Sequence, residues 1–331
     1  MKRYLSLILV ISFFAVLTLI AEGATAPSGK ITLYTSVPQN IVDKLQTDYK
    51  AKAPAVTLQV FRAGSSEVEA KMAAEKQAGT IQADLVWVAE PSTYEDFKAQ
   101  DILLKFTPAE GGVLPAEMKD KDGTYYAGRL INMVVAYNAK ANPKPAGWKD
   151  LLKPAYKGKL GFPTPANSGA AEAAVRTLVD TQGFGWDYFK QFRANGGKQI
   201  KNNSAVQEQL STGEILVAAL LDYMIRDAKG KGSPVDYAWP AEGAVFIPSP
   251  IAIIKTTKNP DAAKAFVDHL LSKEGQISLV KLGDFIPVRS DVSGSPGTPT
   301  LAQIKRLATD WKMVREKRQD TKDQFEAIFS K

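Results

Sequence analysis

From residue 29 onwards, short apolar runs alternate with stretches whose apolar positions recur every three or four residues, the rhythm of an α/β sheet. Residues 31–34, 56–61 and 83–88 read as strands, and each is followed by an amphipathic helix, at 39–51, 65–77 and 91–99. A longer apolar stretch within 128–138 predicts a buried strand, and 148–161 opens a second lobe. There the pattern predicts helices at 169–181, 186–195 and 204–211, then a buried strand over 214–221 that Asp222 and Tyr223 end. Residues 244–254 cross back, a helix follows at 260–271, and the loop-like stretch 292–300 sets off C-terminal helices. Two α/β units joined by a pair of crossing segments leave a cleft between them. The expected division is lobe 1 from 30–130 and 248–290, lobe 2 from 131–247, and C-terminal helices from 291–331 packed on lobe 2.

The start of the chain departs from this rhythm. Lys2 and Arg3 precede an apolar run from residue 5 to residue 21, and Ala21, Gly23 and Ala24 supply small residues. That order predicts a secretory signal peptide over 1–23, cleaved after Gly23; the alternative is an uncleaved anchor. Export to the periplasm would exclude most enzymes that depend on cytoplasmic ATP or NAD. About 300 residues remain, enough for two lobes with real cores. With no cysteine the protein is held by its core alone and lacks a site for an N-terminal lipid anchor. Net charge is +7 for the whole chain, but Lys and Arg are interleaved with acids, which argues against nucleic-acid binding. The densest charged stretch, 312–320, reads as a solvated face of an amphipathic helix.

In α/β sheets ligands bind beyond the carboxyl ends of strands, where loops feed helix N-termini. Those loops hold Ser36, then Ser65 and Ser66, then Glu90; in the second lobe they hold Asn167, Ser168 and Gly169, then Asn203, then Tyr223. All are rich in hydroxyls, amides and backbone N–H groups suited to an anion. Catalysis finds little support. The only histidine, His269, sits within a helical pattern, no Gly-x-Ser-x-Gly elbow occurs, and no zinc-type cluster is present. Nothing in the spacing of Glu214 and Asp222 suggests a glycosidase pair. The chain reads as a binder, not an enzyme, and no cofactor is expected.

The runs Ile-Thr-Leu-Tyr-Thr-Ser, Ala-Asp-Leu-Val-Trp, Gly-Arg-Leu-Ile-Asn-Met-Val-Val-Ala-Tyr-Asn, Tyr-Lys-Gly-Lys-Leu-Gly and Asn-Ser-Gly occur in this order. Later come Lys-Asn-Asn-Ser-Ala-Val, Ser-Thr-Gly-Glu, Leu-Asp-Tyr and Lys-Asn-Pro-Asp-Ala-Ala-Lys-Ala-Phe-Val. Together they resemble the extracellular solute-binding proteins of ABC importers, in the branch of the ferric-ion-binding proteins and their phosphonate and sugar-phosphate relatives. The resemblance implies a type II periplasmic-binding-protein fold, whose hinged lobes close over a solute and dock, as a monomer, on a membrane permease.

Within that branch the ferric members place two tyrosines where this chain has Tyr223 and Met224. They add a first-loop histidine, where Pro38 stands here, and a third-loop carboxylate, for which Glu90 is displaced by about one residue. Their synergistic anion lies at the helix start matched by Ser168 and Gly169, beside the amide matched by Asn203. Fe³⁺ prefers oxygen anions, and one phenolate is a thin shell. The anion half is better kept, with Arg62 or Arg129 able to supply a fork; Arg129 can alternatively pair with an acid to brace the hinge. The expected cargo is therefore a small oxyanion, organophosphate or phosphonate, with ferric iron bound by Tyr223 and Glu90 as the alternative. A periplasmic enzyme on the same frame is the third reading. Closure is expected to turn on 128–132 and 248–251.

Overall fold

A computed structural model describes residues 26–330, so the expected signal peptide lies outside the described residues. The first lobe carries β1 (Gly29–Thr35), α1 (Gln39–Lys52), β2 (Val56–Arg62), α2 (Ser65–Gln77), β3 (Leu85–Trp87) and α3 (Pro91–Ala99). β1 pairs in parallel with both β2 and β3, as strands separated by crossover helices must. β4 (Tyr126–Asn138) then leaves this lobe, and all thirteen of its residues are buried.

The second lobe is built from β5 (Leu160–Pro163), α4 (Gly169–Asp180), α5 (Gly185–Ala194), β6 (Lys198–Ile200), α6 (Asn203–Thr212), β7 (Val217–Leu221), α7 (Asp222–Gly230) and β8 (Val235–Ala238). β9 (Val245–Ile253) returns, and α8 (Pro260–Leu271) and α9 (Lys273–Gly283) pack against β1 and α1 of the first lobe. α10 (Trp311–Glu316) and α11 (Arg318–Phe329) close the chain. The strands form one sheet in the order β2-β1-β3-β9-β4-β7-β5-β6, with β8 also on β4.

The crossing segments are thus β4 and β9, antiparallel to each other and shared by both lobes. The N-terminal part of β4 lies against β9 from Tyr126↔Ile251 to Met133↔Val245, and its C-terminal part pairs with β7 and β8. The register shifts between Ala127 and Arg129, a bulge at Gly128. A Cβ there would sit 3.0 Å from the Trp87 ring and 3.1 Å from Leu270. Glycine lets the crossing strand pass that closely.

Several expected elements differ from those found. Asp222 does not end a strand: β7 stops at Leu221, and Asp222 opens α7. Its carboxylate accepts from Asn132 N of β4 at 2.9 Å and pairs with Arg226, one turn on in the same helix, at 3.0 Å, so a tertiary hydrogen bond and a local ion pair fix the helix start. The three-residue β6 and four-residue β8 are too short for periodicity to reveal. The stretch 312–320 is not a single solvated face. It divides at Lys317 into two helices, with Lys312 outward and Arg315 and Arg318 turned towards carboxylates of the body. α11 rests on α4 and α5, while α10 touches both α4 and α3 of the first lobe.

Candidate binding site between the lobes

Each strand that ends at the cleft feeds a helix whose first N–H groups have no intrahelical partner. Five such starts meet around one cavity of about 180 Å³: Pro38 of α1, Gly64 of α2, Ser168 of α4, Asn202 of α6 and Leu221 of α7 are each the N-cap residue and each line it. Ser168 and Asn202 cap their helices through the side chain, accepting from Ala171 N at 3.2 Å and Ala205 N at 2.9 Å. Pro38, Gly64 and Leu221 make no side-chain cap, which leaves backbone donors at those ends. Five positive dipole ends around one small space form an anion site of unusual strength for uncharged groups.

Arg129 adds a full charge. It projects from β4 with 2% exposure, and its guanidinium lies over the rings of Trp87, Tyr223 and Phe285 at 5.1–5.6 Å. Nε donates to Ser249 Oγ at 3.2 Å, and the group also meets the Tyr223 hydroxyl, but Nη1 is buried with no partner. Burial lowers its pKa, as expected for a cation out of water, yet guanidinium remains charged. Among the described residues no acid pairs with it, and the side chain lines the cavity where the hinge-brace alternative would have it paired. Burial likewise raises the Tyr223 phenol above its ordinary value, with Arg129 pulling the other way. Arg62 and Lys201, both exposed, put two more cations on the wall, and among the described residues Glu67 is the one carboxylate that lines it.

Of the residues expected from the sequence, Ser36, Arg62, Ser65, Arg129, Asn167, Ser168, Asn203 and Tyr223 line the cavity together. Asn203 donates to Ser168 Oγ at 2.9 Å, and its Oδ1 is left without a partner. Ser66, Gly169 and Glu90 do not line it. Gly169 instead lies where the lobes touch: a Cβ there would be 3.2 Å from Glu90 Cγ and 3.3 Å from Ser65 Oγ. Glu90 is a correction. It is buried and caps α3, accepting from Ser92 N at 2.7 Å and from the Ser92 and Thr93 hydroxyls at 2.5 Å. A carboxylate one residue before Pro91 at a helix start turns back to cap it instead of entering the cleft. The sequence reading passed over Lys201, Met224 and Ile131 as lining residues. Lys201 has a legible signal, since it directly precedes the capping Asn202.

Residues 44–306 match the family described as bacterial extracellular solute-binding protein. A putative 2-aminoethylphosphonate-binding periplasmic protein of Salmonella typhimurium is 27% identical over 283 residues, covering 81% of this chain and 82% of that one. The major ferric iron-binding protein of Neisseria meningitidis is 26% identical over 330 residues, 93% of this chain and 96% of that one. The periplasmic binding protein AfuA of Actinobacillus pleuropneumoniae, solved with fructose-6-phosphate, shares the fold at a TM-score of 0.82 and 23% identity, over 91% of this chain and 99% of that one. No helix among the described residues is long and apolar enough to cross a membrane. Two lobes on paired crossing strands, a cleft of helix N-termini and the family match agree: this chain belongs to the bacterial extracellular solute-binding proteins, the receptors of ABC importers.

Proposed function

We propose that this receptor captures a small solute bearing a phosphonate or phosphate head, closes over it, and delivers it as a monomer to an inner-membrane permease after export to the periplasm. One observation carries the reading. Five helix N-termini and the side chain of Arg129 line a single cavity of about 180 Å³. An oxyanion head accepts several hydrogen bonds at once, and Arg129 can meet two of its oxygens. The 2-aminoethylphosphonate named for the Salmonella relative has such a head, and fructose-6-phosphate tests a phosphorus oxyanion on a larger solute.

The ferric alternative draws support from the Neisseria relative and from Tyr223, whose phenol lines the cavity. The donor set opposes it. Met224 stands where a second phenol would be needed, Glu90 is committed to α3, and the wall carries Arg62, Arg129 and Lys201 against Glu67. A hard trivalent cation needs anionic oxygens, and a phenol whose pKa is raised by burial gives up its proton reluctantly.

Titration calorimetry of the mature protein against 2-aminoethylphosphonate, fructose-6-phosphate, inorganic phosphate and ferric citrate tests the reading. Micromolar or tighter binding of at least one phosphorus compound, with no visible colour on iron addition, is the expected result. Silence towards all three phosphorus compounds together with a phenolate–iron absorbance band would overturn it.

A further inference from the structure

The charged C-terminal stretch has a task that solvation does not account for. α11 is anchored in lobe 2, where Phe325 is fully buried against Phe162 and Phe189 and Phe329 packs on Phe192. Its first residue, Arg318, does not line the cavity and reaches from lobe 2 to lobe 1. On lobe 1 it meets Asp96 Oδ2 at 2.9 Å, Ser92 Oγ at 3.0 Å and Thr93 Oγ1 at 3.3 Å, with Glu69 and Glu90 at 3.5 Å. On lobe 2 it holds Glu172 Oε1 at 2.9 Å, and Lys322 holds the same carboxylate at 3.1 Å. Arg315 of α10 adds a contact to Asp96 at 2.6 Å. The four carboxylates come from α2, the start of α3, α3 itself and α4, and of these elements α2 and α4 give their N-termini to the cavity wall.

We propose that Arg318 sets how tightly the protein holds its solute without touching it, by tying lobe 1 to Glu172 of lobe 2 only while the lobes are closed. The lobes are in contact here: a Cβ on Gly64 of lobe 1 would meet the Asn167 carbonyl oxygen of lobe 2 at 2.8 Å. Because α11 stays with α4 and α5, opening keeps the Arg318–Glu172 pair and breaks the contacts to Asp96, Ser92 and Thr93. A contact made in one state alone shifts the equilibrium towards that state, and solute affinity with it. The cluster is mostly buried, so salt screens it little.

Protons should read out the same device. Burial and the neighbouring carboxylates of Glu90 and Glu69 push Glu172 up to about 7, against the pull of Lys322 and Arg318. Arg315, from α10, faces Asp96 instead. Opening carries Glu90 and Glu69 away and lets water in, so the Glu172 pKa falls. The closed state therefore holds the proton more tightly, and closure strengthens as pH falls from 8 to 6.

The test does not depend on knowing the solute. The chain has no cysteine, so Gln77→Cys and Asp187→Cys place one spin label on each lobe of the full mature protein. Their distance distribution gives the closed-to-open ratio, measured without ligand and with 2-aminoethylphosphonate at pH 6 and pH 8. Expected are a higher closed fraction at pH 6, a Glu172→Gln variant whose pH dependence is smaller, with Glu69, also pushed up by burial and Glu90, supplying what remains, and an Arg318→Met variant whose closed-to-open ratio drops at least tenfold. Should Arg318→Met fail to fold, Asp96→Asn removes the same cross-lobe contact and is expected to open the protein in the same direction. If Arg318→Met or Asp96→Asn lowers only the melting temperature and leaves the distance distribution unchanged at both pH values, the inference is overturned. A failure to bind phosphorus compounds would leave the ligand-free distances to decide this question separately.

Discussion

At the scale of single residues, Arg129 shows most plainly that the site serves binding at the expense of stability. A buried cation with an unpartnered Nη1 costs the unliganded fold, because desolvation is not fully repaid by Ser249, Tyr223 and the three rings. Replacing it by methionine, unbranched and able to fill the same space among Trp87, Tyr223 and Phe285, removes that cost and the fork together. Arg129→Met is therefore expected to leave the melting temperature of the unliganded protein equal or higher while weakening phosphonate or phosphate binding at least 100-fold, about 2.7 kcal/mol. Calorimetric melting and titration on one preparation check both halves. A variant that loses binding only because it unfolds would show the opposite change in melting temperature. Six of the site residues, Ser36, Ser65, Asn167, Ser168, Asn203 and Tyr223, were legible at this scale because each lies just past an apolar run, at or beside a helix start; Arg62 and Arg129, at the end and in the middle of strands, were legible only as cations suited to an oxyanion. Glu90 obeyed the same rule and still failed, since its carboxylate had a nearer use in capping α3. Local sequence cannot rank two partners for one carboxylate.

At the scale of elements, the helix starts matter more than the side chains on them. Gly64 caps α2 with φ −63°, a conformation any residue adopts, so glycine is not required by the backbone. It is required by the approach of lobe 2, whose Asn167 carbonyl leaves no room for a Cβ. Gly64→Ser separates these roles, because serine is at least as good a cap as glycine and adds the clashing carbon. The expected outcome is an unchanged melting temperature without ligand and roughly tenfold weaker solute binding, since only the closed state suffers. Unchanged affinity would mean that α2 and α4 do not approach this closely when the solute is bound. Long, strongly patterned elements such as α1, α4, β4 and β9 were legible from periodicity. β6 and β8 were not, being three and four residues long and defined by their neighbours in the sheet. α7 was hidden for another reason: after the single acid Asp222, Tyr223, Met224 and Ile225 prolong the apolar run of β7, and the hydrogen bond from Asn132 of β4 that fixes the boundary joins residues far apart in the chain.

At the scale of the whole molecule, β4 and β9 make both lobes part of one sheet, and the shift at Gly128 lies beside Arg129, so the place where the strands bend is also the floor of the site. Solute binding should therefore stabilise the molecule as one unit. At a free solute concentration 100 times the dissociation constant, the gain is about 2.7 kcal/mol, read as a melting temperature higher by roughly 2 °C or more in a single transition. Two transitions, with only one moved by the solute, would show that the lobes unfold separately and that the cleft does not couple them. The sequence by itself determined the alternation of strands and helices, the crossing strands and the polar loops at strand ends, because these rest on local periodicity and on residues adjacent to strand ends, and it pointed to the family through ordered runs of residues that resemble it. Only the tertiary structure decided which loops meet, that Arg129 keeps a free donor, that Glu90 turns away, and that a charged C-terminal helix reaches from one lobe to the other. Each of these depends on residues far apart in the chain competing for the same partners, and that competition is settled by packing, which no local pattern records.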